Sequence, residues 1–180
     1  MKILLFITGL GIGGAEKQVC DLVDKFVQLR HQVKLISLSK AFSEQTLPKN
    51  NQIEISYLNM TKDPLSLVRA YFQLRNEIKT FKPDVIHSHM FHANLMARLL
   101  RLSTKINRLI CTAHSKNEGG ILRMNLYRFT NFLSDLNTNV SHDAVNAFIE
   151  KKAVKKGQMI AIENGIDTSL FKKDCVMREN

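Results

Sequence analysis

At 180 residues the chain is about one domain with a single core, and its 44% hydrophobic residues are ordinary for a globular protein. No apolar run approaches the roughly 20 residues that cross a bilayer. Cys20, Cys111 and Cys175, odd in number and without a C-x-x-C pair, argue against a disulfide framework and predict a reducing, cytosolic setting. The formal charge of +10, from 26 Lys+Arg against 16 Asp+Glu, suggests an anionic partner, either a phosphate-bearing ligand or an anionic membrane surface. Without an arginine-rich run interleaved with aromatics, nucleic acid is not expected.

Lys2–Thr8 is a short apolar run of β-formers and reads as a fully buried strand. With its leading lysine it resembles a signal peptide, but Gly9–Gly14 interrupts it and an amphipathic helix follows at once. In Ala15–Arg30, Val19, Leu22, Val23, Phe26 and Leu29 recur at helical spacing. Val33–Leu38 is a second buried strand, Ser39–Asn51 a polar loop and Gln52–Leu58 a third strand. Asp63-Pro64 starts a helix, with Asp63 as cap and Pro64 in the first turn. Leu67, Tyr71, Leu74, Ile78 and Phe81 carry that helix to Pro83, and Asp84–His87 is the next strand. A helix over Phe91–Leu102, a strand over Arg108–Thr112 and a helix over Ile121–Ser134 follow. Leu136–Val140 is a strand, Ser141 caps a helix to Glu150, and Gln158–Ile162 is the last strand.

Strands alternating with helices predict an α/β fold: a three-layer αβα Rossmann-like domain on a mostly parallel sheet, with right-handed connections. Ligands of such sheets sit outside the carboxyl ends of the strands. Three sites there carry chemistry. Gly9, Gly11 and Gly14 satisfy G-x-G-x-x-G between a strand and a helix. Such a loop either lets the backbone approach a diphosphate at a helix N-terminus or merely packs helix on strand. A dinucleotide reading wants an acid after the second strand. Ser39 and Lys40 stand there, which disfavours NAD and leaves NADP open. His87, His89 and His92 have the spacing of a zinc site, but no carboxylate or cysteine joins them, so no metal is expected. His114 follows a strand directly. It suits a general acid, a donor to a sugar hydroxyl, a phosphate contact or a cap of the next segment.

Together these pieces resemble the group 1 retaining glycosyltransferases of the GT-B fold. Gly13-Gly14-Ala15-Glu16 is similar to that family's glycine loop. Pro83-Asp84-Val85-Ile86-His87-Ser88-His89 is similar to its strand ending in H-x-H, and Thr112-Ala113-His114 to its threonine-x-histidine strand end. Asn164-Gly165-Ile166-Asp167, followed by Phe171, is similar to its exit signature. The resemblance implies that residues 1–168 are the acceptor-side domain, one half of a GT-B fold. Residues 169–180 would begin the linker to a C-terminal donor-binding domain, the partner without which this half transfers no sugar.

By the same resemblance Gly13 and Gly14 face the donor diphosphate and His114 is the catalytic residue beside the transferred sugar. Glu16, Lys17, His89 and Arg123 are expected acceptor contacts. No cofactor and no metal are implied. The partners are a nucleotide sugar and a glycan or lipid-linked acceptor, in cell-surface polysaccharide or glycolipid synthesis, and the class is a hexosyltransferase. In glycosyl transfer the leaving nucleoside diphosphate gathers negative charge while the sugar becomes oxocarbenium-like; preorganised N–H groups stabilise that charge. The apolar helix Ile121–Ser134, with Arg123 and Arg128, suits either a core helix or one lying on the inner face of the cell membrane. An NADP-binding oxidoreductase domain and a non-catalytic partner of a separate donor-binding subunit remain as alternatives.

Overall fold

A computed structural model describes residues 1–165. The elements in chain order are β1 (Lys2–Ile7), α1 (Gly14–Gln28), β2 (Gln32–Ser37), β3 (Glu54–Tyr57), α2 (Pro64–Phe81), β4 (Val85–His89) and α3 (Phe91–Leu100). Then come β5 (Leu109–Ala113), α4 (Ile121–Thr130), β6 (Leu136–Asn139), α5 (His142–Glu150) and β7 (Ile160–Ala161). Seven strands form one sheet in the order β3-β2-β1-β4-β5-β6-β7, and every pairing is parallel. The α/β Rossmann-like architecture predicted from the alternating pattern is the one observed.

The strands are apolar on both sides because helices lie on both faces. Ile3, Leu5, Ile7 and Leu35 pack on Val19, Cys20 and Val23 of α1. Leu4, Phe6, Ile36 and Ile86 point the other way, onto Ala70, Leu74 and Ile78 of α2 and Ala93, Met96 and Ala97 of α3. Farther along that second face α4 and α5 bury Met124, Tyr127, Val145 and Phe148. Each fully buried large side chain of this kind contributes roughly 1.5–3 kcal/mol.

Local chemistry sets the boundaries. The Asp63 carboxylate accepts the Ser66 N–H at 2.9 Å, the cap expected at the start of α2. Lys82 ends α2 in the left-handed region at φ 51°, and Pro83 prevents its return. One expectation is corrected. The helix foreseen over Ile121–Ser134 stops at Thr130 and tightens into a single 3₁₀ turn, Asn131–Leu133. Thr130 and Asn131 turn inward there to accept the Arg98 guanidinium, at 3.0 and 3.4 Å. Arg98 is 1% exposed and also donates to Asn137 Oδ1 of β6 at 2.6 Å.

Among the described helices only α1 covers its face of the sheet, and β5 to β7 lie open there. Ile110, Leu136 and Ile162, with His87, Thr112 and Thr138, floor a cavity of about 650 Å³ beside the polar side of α1.

Candidate functional site

The strand order reverses between β1 and β4, so a crevice opens where their carboxyl ends part. The glycine loop leaves β1 on one side of it. A Cβ on Gly9 would meet Ser39 Oγ at 2.8 Å and the Phe42 ring at 3.2 Å, so a side chain there would displace the loop after β2. Gly13 is the N-cap of α1 and offers no side-chain cap, so the first N–H groups of the helix stay available to an anion. A Cβ on Gly14 would meet nothing within 4 Å. Glu16 folds its carboxylate back against Gly13, where the helix dipole favours negative charge. Lys17 pairs with Asp21 one turn on.

On the other side of the crevice β4 ends in His89, and Met90 takes φ 71° and ψ 162°. Side chains rarely tolerate that region, and it costs about 1–3 kcal/mol. Two bonds hold it: Met90 N–H to the Thr112 carbonyl at 3.0 Å, and Asn94 N–H to the Met90 carbonyl at 2.9 Å. The turn seats α3 against β1, where Thr8 Oγ1 accepts the Ala93 N–H at 3.3 Å.

Three histidines converge on the α1 face of the sheet. Side chains alternate along a strand, so His87 and His89 share a face, their ring centroids 4.0 Å apart. His89 Nδ1 lies 3.1 Å from His114 Nε2. His87 Nε2 lies 2.7 Å from Thr112 Oγ1, which is 2.6 Å from Thr138 Oγ1. Burial pushes the His87 pKa down to about 4, helped by His114. Burial alone pushes that of His114 to about 4, and His89 falls well below the ordinary range for the same reason, with His87 and His114 adding to it. All three are therefore neutral near pH 7. A neutral imidazole carries one N–H and one lone pair, so each ring donates one hydrogen bond and accepts one.

The rest of the candidate set is placed as follows. His89, expected among acceptor contacts, is 0% exposed; it lies at the wall of the cavity beside α1, with His114 as its hydrogen-bond neighbour. Arg123 donates to the Glu118 carbonyl at 2.9 Å and lies over the Phe91 ring at 4.8 Å. His92 is exposed on α3, apart from the other two histidines of the zinc-like spacing. Among the described residues no group of three or more His, Cys, Asp or Glu side chains is placed to hold a metal. Ile166, Asp167 and Phe171 of the exit signature, and the boundary at residue 168, lie outside the described residues.

Sequence reasoning passed over Glu118. Its carboxylate accepts the His114 backbone N–H at 2.8 Å and the Tyr127 hydroxyl, tying the loop after β5 to α4. Burial raises its pKa, against the lowering effect of those two bonds. Behind it, Asn94 receives the Ser88 hydroxyl at 2.7 Å and donates to the Thr112 carbonyl at 2.9 Å and the Tyr127 hydroxyl at 3.2 Å. The four-residue step from His114 to Glu118, just ahead of Gly119-Gly120, was the available signal.

The sequence profile of Glycosyltransferase Family 4 matches residues 12–170. Among curated protein sequences no relative matches. Solved structures share the fold. Sucrose-phosphate synthase from Thermosynechococcus elongatus is 14% identical at a TM-score of 0.75, covering 95% of this chain and 50% of that one. The lipopolysaccharide outer core galactosyltransferase WaaB, in its apo form, is 14% identical at 0.70, covering 92% and 46%. A glycosyltransferase from Rickettsia africae ESF-5 is 15% identical at 0.69, covering 93% and 44%. The chain thus spans about half the length of the solved structures it matches.

Proposed function

The chain belongs to Glycosyltransferase Family 4, and from that premise we propose that it is the acceptor-side half of a retaining glycosyltransferase of hexosyl type. It takes a sugar from a nucleotide sugar to a glycan or lipid-linked acceptor in cell-surface polysaccharide or glycolipid synthesis, and needs no metal. A donor-binding half completes the site.

One observation carries this reading. The uncapped N-terminus of α1 at Gly13 and Gly14 and the histidine cluster ending in His114 stand on the same face of the sheet, at its carboxyl edge. The helix N–H groups suit the charge that gathers on a leaving diphosphate. The neutral His114 ring suits a hydrogen bond to the transferred sugar. Glu16, Lys17 and Arg123 border the acceptor side, and His89 serves through His114.

An exposed apolar surface on α4 suits an acceptor held in a membrane. Ile121, Leu122, Phe129 and Phe132 are 69–82% exposed on α4 and the turn after it. Arg128, Lys152, Lys155 and Lys156 line the adjoining cavity of about 510 Å³. Apolar side chains flanked by cations are what a peripheral helix presents to an anionic leaflet.

The test uses this chain joined to a donor-binding half. His114→Ala is expected to lower transfer about 10²–10³-fold, as the loss of one aimed hydrogen-bond donor does, with the melting temperature kept. Gly14→Ala is expected to lower transfer with no loss of stability, since the added methyl meets no protein atom. Full turnover in both variants would refute the placement of donor and sugar.

A further inference from the structure

The rings of His89 and His114 share one hydrogen bond, 3.1 Å from Nδ1 to Nε2. Burial keeps both rings neutral, and two neutral imidazoles can make this bond in only two ways. In one, His89 donates from Nδ1. Its Nε2 is then a bare lone pair, and His114, accepting at Nε2, carries its own hydrogen on Nδ1. In the other, His114 donates from Nε2, and His89 must carry its hydrogen on Nε2.

His89 Nε2 discriminates between the two. That atom is enclosed and has no hydrogen-bond partner among the described residues, in a side chain with 0% exposure. Among backbone groups a stranded N–H is rarer than an under-satisfied acceptor, and the same preference favours a bare lone pair at this ring nitrogen. The ring is also held in place. The His87 ring lies against it, centroids 4.0 Å apart and tilted by 39°, and is itself fixed by Thr112, which Thr138 holds in turn.

We propose that His89 is a positioning residue: it donates from Nδ1 to His114 Nε2 and so fixes His114 as the Nδ1–H tautomer, leaving that N–H as the donor offered to an oxygen of the sugar. The use made of the donor rests on the role proposed for His114; the tautomer does not. A site built around such a donor rejects a ligand that lacks the matching oxygen far more strongly than one extra methylene is rejected.

The experiment is a long-range proton–nitrogen spectrum of the 180-residue chain labelled with ¹⁵N-histidine, at pH 7 and without donor or acceptor. The expected result is a protonated Nδ1 and a bare Nε2 on His114. His89→Asn places an amide N–H where Nδ1 stood and should preserve that pattern. His89→Leu removes the donor and should move the His114 hydrogen to Nε2 in part or in full. A wild-type His114 protonated on Nε2 overturns the proposal, as does an unchanged tautomer in a folded His89→Leu chain. If His89→Leu does not fold, the wild-type spectrum decides alone. No sugar chemistry enters the measurement, so a chain that proves inactive leaves this result standing, and the reverse tautomer leaves the glycosyltransferase reading standing.

Discussion

Acidification from pH 7 to pH 5 is expected to weaken this fold through its histidines. His87 and His114 have pKa values near 4 in the folded chain against an ordinary 6.5. Between those two values the unfolded chain binds protons that the folded chain refuses, so stability falls as pH falls. Each such group contributes about 2 kcal/mol at pH 7 that is lost by pH 5. Together that is about 4 kcal/mol, a large part of the 5–15 kcal/mol typical of a domain, and His89 shifts the same way. Glu118 acts in the opposite sense. Its raised pKa means the folded chain holds that proton more tightly than the unfolded one, so it returns part of the loss as pH falls through its folded value. Urea unfolding at pH 7, 6 and 5, extrapolated linearly to water, measures the net. His87→Gln keeps a partner for Thr112 but no longer titrates, and should shrink the difference between pH 7 and pH 5 by about 2 kcal/mol. Equal stability at both pH values in the wild type, or an undiminished loss in His87→Gln, would refute the neutral-histidine reasoning.

Glu118→Ala removes the acceptor of the His114 N–H and the Tyr127 hydroxyl. It is expected to cost about 1–3 kcal/mol in urea titrations and to lower transfer in the joined enzyme by loosening His114; a variant as stable as wild type would refute the latch. Vesicles with anionic lipid should bind the chain, less so as salt screens charges beyond about 10 Å at 0.1 M, and a Phe129→Ser, Phe132→Ser double variant should bind more weakly. Equal binding to neutral vesicles, or none to either, would count against the membrane face.

Much of the fold was legible because its strands are short apolar runs and its helices carry strong stops. Asp63, Pro83 and Ser141 are local signals whose chemistry does not depend on the rest of the chain, and α2 and α5 begin where they say. The pairing of His87 with His89 followed from strand alternation. What escaped depends on contacts between elements distant in sequence. Arg98 is buried because Thr130, Asn131 and Asn137 turn toward it. At Thr130 and Asn131 the helix expected to reach Ser134 gives way to a 3₁₀ turn. Glu118 stands in a loop, and only the folded positions of Tyr127 and the His114 N–H give it a task. The strained Met90 carries no sequence mark, since glycine is the residue its backbone favours.

The central claim is that this half holds one wall of a sugar-transfer site and not the whole. It is tested most directly by measuring nucleoside diphosphate release from a panel of nucleotide sugars, by the 180-residue chain alone and by the same chain joined to a donor-binding half. In the proposed arrangement the glycine loop would meet a diphosphate from one side, and without a second wall the sugar would be neither positioned nor shielded from water. The predicted result is no turnover by the chain alone and acceptor-dependent release by the joined protein. Release by the isolated chain at ordinary enzyme rates, roughly 1 per second or more, would contradict the account.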